Sequence, residues 1–243
     1  NGSNYNGWQV QLNADSVQAT LETALSTILN KTIKVTGCGR TDTGVHAKQY
    51  YLHFDFEGNF PKGFRNRINK FLPKDIVIYS FFAVPNEAHA RFVAFSRSYE
   101  YHIVLHKNPF ETETAWALYS AQKLDINKMQ QAAQLLLNYT EFSPFCKTNS
   151  DAKTMNCALT IAKWEVQADR LIFHISANRF LRGMVRLIVG MCVNVGLGKL
   201  KIEQVKAALD NQTMLPKSYS VPPNGLFLTH ILYPSTVKII KFG

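Results

Sequence analysis

Residues 39 to 47 read Gly-Arg-Thr-Asp-Thr-Gly-Val-His-Ala, and Asp42 is the only acid among them. Gly39 and Gly44 bracket it, supplying the tight or left-handed backbone geometry that other residues resist. A carboxylate on such a loop is displayed rather than packed, and loops on rigid scaffolds are where chemistry tends to sit. One reading is a solvated turn in which Asp42 accepts from its own backbone. A second is the D-T-G of an aspartic protease. That chemistry needs two carboxylates sharing a proton, yet the chain has no second D-T-G. The adjacent Arg40 would also hold the acid ionised, which suits a shared proton badly.

A second stretch carries the complementary charge. Asn178 to Gly198 is apolar nearly all round and predicts a buried helix. Arg179, Arg182 and Arg186 fall at i, i+3 and i+7, one face of that helix. Arginine is almost never buried without a partner. The face should therefore meet a protein carboxylate, RNA phosphates or both; the plain alternative is a solvated arginine stripe. One loop acid needs a cation, and one buried helix needs an anion.

The elements that position these residues follow from periodicity. Ile33–Cys38 and Tyr50–Phe56 read as strands flanking the Asp42 loop; the second alternates Tyr50, Leu52, Phe54 and Phe56 with polar neighbours. Aromatics on such a face can stack RNA bases, but cover by helices is the favoured expectation. Asp15 and Gln18 have capping-box spacing ahead of a scaffold helix through Val17, Leu21, Ala24, Leu25, Ile28 and Leu29. Pro61–Phe71 predicts a short basic helix that either binds phosphate backbone or is simply solvated. Asp75–Val84 predicts a strand. Asn108–Thr114 is polar and aperiodic, so the boundary between two halves, 1–107 and 108–243, is placed there. Helical spacing resumes over Ile126–Leu137 and Ile202–Leu209. A hairpin is expected from Leu159–Gln167 and Leu171–Ala177 across Ala168-Asp169-Arg170. The tail from Ile231 to Phe242 reads as a final strand with a basic end.

The whole chain sets limits. Its 243 residues suffice for one large domain or two modest ones with real cores. Hydrophobic residues at 46% against 18% charged make it globular. No run approaches a membrane span and no signal peptide opens the chain, so no membrane role is expected. Lys and Arg number 27 against 17 acids, a net charge of +10, which suggests a polyanionic partner; general basicity is the alternative. Cys38, Cys146, Cys157 and Cys192 are scattered, with no C-x-x-C and no H-E-x-x-H. Neither a metal site nor a disulfide framework is indicated; buried reduced thiols in a cytoplasmic protein are expected.

The nonapeptide 39–47 resembles the G-R-T-D-x-G-V-H-A signature of the TruA-type tRNA pseudouridine synthases. Further motifs follow in family order. Gly2–Gln9 resembles Y-D-G-x-x-(F/Y)-x-G-W-Q from its third position; the preceding strand and the aspartate of Y-D-G are absent. The expectation is a sequence lacking its natural N-terminus, with one strand of the first sheet missing. Ala90–Ile103 resembles A-R-F-x-A-x-x-R-x-Y-x-Y-x-I, and Glu141–Phe145 resembles (D/E)-F-x-x-F. Asn178–Gly190 resembles N-x-F-L-x-x-M-V-R-x-x-V-G, and Pro222–Leu228 resembles A-P-x-x-G-L-x-L.

The resemblance implies an α+β fold of two similar halves, each an antiparallel sheet backed by helices, with the active-site cleft between them. It implies isomerisation of uridine to pseudouridine in the anticodon stem-loop of tRNA, at about positions 38 to 40, bases that must leave their stack to reach a pocket. Asp42 would be the nucleophile and Arg186 its ionic partner. Arg40 would hold open the vacated stack, Tyr99 would stack on the uracil and Leu226 would close the other side. Arg91, Arg97, Arg179 and Arg182 would contact RNA. A homodimer is implied, with one tRNA touching both subunits. The reaction is redox-neutral, so no cofactor and no metal are expected. A catalytically silent tRNA-binding protein on the same fold is the rival reading; it would need Tyr99 and the basic surface but not Asp42.

Overall fold

The computed structural model describes residues 1–119, 124–148, 152–235, 237 and 240–241. Along the chain run α1 (Val17–Leu29), β1 (Thr36–Gly37), β2 (His46–Ala47), β3 (Leu52–His53), α2 (Phe64–Phe71), β4 (Phe82–Ala83), β5 (Ser96–Val104) and β6 (Trp116–Ala117). Then come α3 (Ile126–Leu135), β7 (Leu159–Gln167), β8 (Arg170–Ala177), α4 (Met184–Gly196), α5 (Ile202–Asp210), β9 (Leu226–Leu232) and β10 (Ile240–Lys241). Helices and mainly antiparallel pairing make this an α+β protein, as the sequence implied. Two compact units emerge, Asn1–Phe95 with Ile231–Gly243, and Ser96–His230. The position 107/108 lies inside the second of these. There β5 pairs with β8 from Arg97↔Ala177 to Val104↔Arg170, which ties residues 96–104 to that unit's sheet.

The first unit is built on α1 and α2. Ser16 caps α1, its hydroxyl accepting from the Ala19 N–H at 3.2 Å, and Asn30 ends it in the left-handed region. The Asp15/Gln18 capping box is therefore not formed. Leu21, Ala24, Leu25 and Leu29 turn inward against Ile33, Val35, Phe64, Ile68 and Leu72. The predicted strands 33–38, 50–56 and 75–84 shrink to two-residue ladders, β1 with β3 and β4 with β10. Helix side chains take the backbone groups a longer ladder would have used. Val35 N–H donates to Glu22 Oε1 at 3.1 Å, the Val35 carbonyl accepts from Gln18, and Ile33 N–H donates to Ser26 Oγ. Likewise Asn69 both donates to the Ile78 carbonyl and accepts from its N–H. The alternation of buried and exposed residues survives without the ladder, because it reflects which side chains enter the core. Phe56 and Phe60 belong to the same core, as the expectation of a helix-covered face required.

In the second unit β9, β5, β8 and β7 lie side by side in that order, with β6 parallel to the end of β5. The predicted hairpin forms as β7 and β8, with Ala168 in the left-handed turn position. Helix α3 packs on α4 and on β7. Helix α4 is buried nearly all round, as its composition demanded. It begins only at Met184, however, behind Gly183 in the left-handed region. The segment before it bonds outward instead: Asn178 Oδ1 accepts from Ala158 N–H and Arg179 N–H, and the Arg182 carbonyl accepts from Lys147 N–H. Arg179 and Arg182 therefore precede the helix, and the predicted one-face arginine ladder does not exist. The tail expected as one strand from Ile231 instead holds the end of β9, which begins earlier at Leu226, and the short β10 at Ile240–Lys241; Phe242 lies outside the described residues. All four cysteines are buried and unbridged, and burial pushes the Cys157 thiol up to about 11. Among the described residues, no helix is long and apolar enough to cross a membrane.

Candidate active site

Asp42 sits half-buried in a turn of the first unit that is braced from two directions. The turn closes on itself where Val45 N–H donates to the Asp42 carbonyl at 3.2 Å, with Gly44 at a φ of 75°. The segment Gly2–Trp8 runs along one side. Trp8 N–H donates to the Thr41 carbonyl, and Gly44 N–H donates to the Tyr5 carbonyl, each at 3.2 Å. Gly2 N–H donates to Nδ1 of the buried His46 at 3.0 Å. Gly7, with φ 84°, approaches so closely that a Cβ there would lie 2.3 Å from the Thr41 oxygen. Asp75 in turn holds this segment, accepting from the Tyr5 hydroxyl at 2.7 Å and from Asn4. Burial, with Asp75 adding to it, pushes the Tyr5 hydroxyl well above its ordinary range.

The second brace is Tyr50. Its hydroxyl donates to the Gly39 carbonyl, and its ring stacks on Trp8 with centroids 4.2 Å apart. Sequence reading placed Tyr50 only as the start of a strand; the ring-and-hydroxyl role depends on Trp8, forty-two positions away, and no local pattern announces it. Arg40 is exposed on the same loop.

The second unit gathers Arg186, Tyr101 and Leu226. Arg186 lies in the first turn of α4, where its Nε donates to the Val221 carbonyl at 2.7 Å and its own carbonyl accepts from Val221 N–H. Gly190, one turn on, lets the loop close in: a Cβ there would lie 1.6 Å from the Tyr219 oxygen. Tyr101 is fully buried and donates to the Pro222 carbonyl at 2.8 Å. Burial pushes its hydroxyl well above its ordinary range, while the Arg186 charge pulls the other way. Residues 219–226 thus tie the arginine to Leu226, which is 6% exposed at the start of β9.

Tyr99 lies half-buried on β5, paired with Ile175, and its ring meets Phe180 edge to face at 5.2 Å. Phe180 belongs to the Asn178–Gly190 motif, whose resemblance assigns it no role. Arg97 donates to the Asn178 carbonyl at 2.8 Å, and Arg179 donates to Thr154 Oγ1. Arg182 is exposed. Arg91, in the first unit, is exposed with its guanidinium 5.7 Å from the Phe92 ring. Its turn is fixed by two imidazoles: His53 Nδ1 accepts from Ala90 N–H, and His89 Nδ1 accepts from Arg91 N–H. Burial, aided by the His89 charge, holds His53 below its ordinary value, which keeps that acceptor available. Among the described residues, no three His, Cys, Asp or Glu side chains gather as a metal site would require.

The first unit thus displays a carboxylate in a braced loop beside an arginine, and the second carries an arginine and an aromatic on buried scaffolding. Comparison with known proteins gives the family. A sequence profile described as tRNA pseudouridine synthase matches residues 132–234. The chain is 43% identical over 240 residues to tRNA pseudouridine synthase A of Porphyromonas gingivalis, covering 97% of this chain and 94% of that protein. It is 41% identical to the protein of the same name from Azobacteroides pseudotrichonymphae, over 98% and 95% of the two chains. Against that of Francisella tularensis subsp. novicida the identity is 35%, over 96% and 91%. The chain belongs to the tRNA pseudouridine synthase family, and the TruA-type resemblance seen in its motifs holds.

Proposed function

We propose that this protein isomerises uridine to pseudouridine in the anticodon stem-loop of tRNA, at about positions 38 to 40, taking the base out of its stack to do so. Asp42 is the nucleophile. The observation that carries this reading is the Asp42 loop itself, the full signature held in place by the Gly2–Trp8 segment and by Tyr50. Such bracing preorganises a carboxylate at no cost during the reaction.

The N1–C1′ bond of the target uridine breaks, the uracil turns, and a C5–C1′ bond forms. The C5 hydrogen leaves as a proton and N1 gains one, so atoms and electrons balance without an oxidant. Asp42 attacks as an anion, and Arg186 pairs with it and fixes its orientation. Arg40 occupies the stack the base has left. Tyr99 stacks on the uracil and Leu226 closes the opposite side, excluding water from the detached intermediate. Arg91, Arg97, Arg179 and Arg182 contact RNA phosphates. The working unit is a cytoplasmic homodimer in which one tRNA touches both subunits.

Tritium release from C5-labelled uridine in an unmodified tRNA tests this reading, because forming the C5 bond must expel that hydrogen. Release by the wild type and none by Asp42→Asn, with tRNA binding kept, is the expected result. Appreciable release by Asp42→Asn would remove Asp42 from its role. No release by the wild type on a mixed tRNA pool would leave a silent tRNA-binding protein.

A further inference from the structure

We infer that helix α2, with the segment stapled beside it, is a separate binding surface for the phosphodiester backbone of the RNA substrate. Residues 58 to 74 carry Lys62, Arg65, Arg67, Lys70 and Lys74 and no acid. All five side chains are exposed. Among the described residues none of them makes an ion pair. Other basic residues of this protein do find acids, as Lys34 with Glu22, Lys128 with Asp125, Arg170 with Glu111 and Lys206 with Asp210. A concentration of uncompensated positive charge repels itself and is relieved by a polyanion, which releases counterions as it binds.

The surface is also rigid. Phe64 and Ile68 anchor the inner side of α2 in the core, which forces Arg65, Arg67 and Lys70 outward. Asn69 bonds both backbone groups of Ile78, and Arg65 donates to the Tyr79 carbonyl at 3.3 Å. Ile76 and Ile78 face the core, so Val77 and Tyr79 alternate to the outside, the tyrosine at 73% exposed. Arg67, Lys70 and the half-exposed Phe71 fall within one helical turn. A fixed row of cations beside an exposed aromatic suits a nucleic-acid strand, where phosphates meet the charges and a base can meet the ring.

The inference rests on the substrate being RNA, as proposed above, and its test reads binding apart from turnover. The slope of log Kd against log salt is measured for an unmodified tRNA transcript with wild type and with the double variant Lys62→Gln/Lys70→Gln. Two lost phosphate contacts should make the slope shallower by about 1.4 to 1.8. A control that also removes two positive charges, Lys128→Gln/Lys206→Gln, should leave the slope near that of the wild type. Lys62→Arg/Lys70→Arg, which keeps the charge, should retain the wild-type slope. An unchanged slope in the Gln pair, or an equal fall in pair and control, overturns the inference. So does loss of binding to anionic phospholipid vesicles with tRNA binding intact, which would make the patch a membrane contact. Because the wild-type slope is readable whether or not tritium is released, failure of the catalytic reading and failure of this surface are distinguishable.

Discussion

Tyr50 donates its hydroxyl to the carbonyl oxygen of Gly39, three residues ahead of Asp42, while its ring stacks on Trp8. One side chain thereby joins the Gly2–Trp8 segment to the start of the Asp42 loop. Tyr50→Phe keeps the ring and removes the bond, a loss of about 0.5–1.5 kcal/mol. Turnover should fall by roughly threefold to tenfold with tRNA affinity little changed, since small misplacements of a reacting group are costly. Tyr50→Ala should lose the stack as well and lower the melting temperature. Kinetics at saturating tRNA, alongside thermal melts, check this; equal turnover in wild type and Tyr50→Phe would make the hydroxyl irrelevant to the loop.

Arg186 is anchored through Nε to the Val221 carbonyl, so an anion must be met by the terminal nitrogens of its guanidinium. Lysine donates from a single nitrogen and lacks the planar fork that lets one guanidinium hold the Val221 carbonyl and an anion through separate nitrogens. Arg186→Lys should therefore reduce kcat by about tenfold or more even though the charge is kept, and Arg186→Gln should reduce it further. Single-turnover rates with each variant test the order. A lysine variant as active as wild type would mean that charge alone is required.

What could be read without coordinates was uneven, and the reasons are physical. The hairpin over Leu159–Ala177 and the buried helix at Met184–Gly196 were legible because local periodicity and composition decide them. The full strands expected at Ile33–Cys38 and Asp75–Val84 were not, because helix side chains, Gln18, Glu22 and Ser26 for the first and Asn69 for the second, take their backbone groups. A period-two pattern reports which side chains are buried and is silent on who bonds the backbone. The arginine ladder failed at Gly183, whose left-handed conformation starts the helix after Arg179 and Arg182. Asp42, Tyr99, Arg186 and Leu226 are candidates through motif resemblance, whereas Tyr50 and Phe180 emerge only from long-range packing.

Tyr99 meets Phe180 edge to face, so the proposed stacking ring is itself steered by an aromatic neighbour. Tyr99→Phe should keep most of the activity and Tyr99→Ala should lose much more. Phe180→Leu should fall between them, through a looser Tyr99, with a loss of about 0.5–1.5 kcal/mol of aromatic pairing. Steady-state kinetics on all three variants separate the roles. Equal losses in Tyr99→Phe and Tyr99→Ala would move the function from the ring to the hydroxyl.

Glu22 is a buried carboxylate that accepts from Lys34 at 2.8 Å, from Val35 N–H at 3.1 Å and from Gln18 at 3.0 Å. Burial alone would raise its pKa, but these donors outweigh burial and hold it below the ordinary carboxylate value. A carboxyl whose folded pKa is depressed binds fewer protons folded than unfolded. Its contribution to stability is thus complete above the unfolded value, near 4.5, and is lost as the pH falls from there through the folded value. Urea unfolding of wild type and Glu22→Gln should show the largest difference near neutral pH and a shrinking one below about pH 4.5. Glu22→Ala, which leaves the Val35 N–H without its acceptor, should cost about 1–3 kcal/mol at neutral pH. A difference between wild type and Glu22→Gln that stays constant down to pH 3 would show that the charge of Glu22 adds nothing to the fold and that its shape and hydrogen bonds suffice.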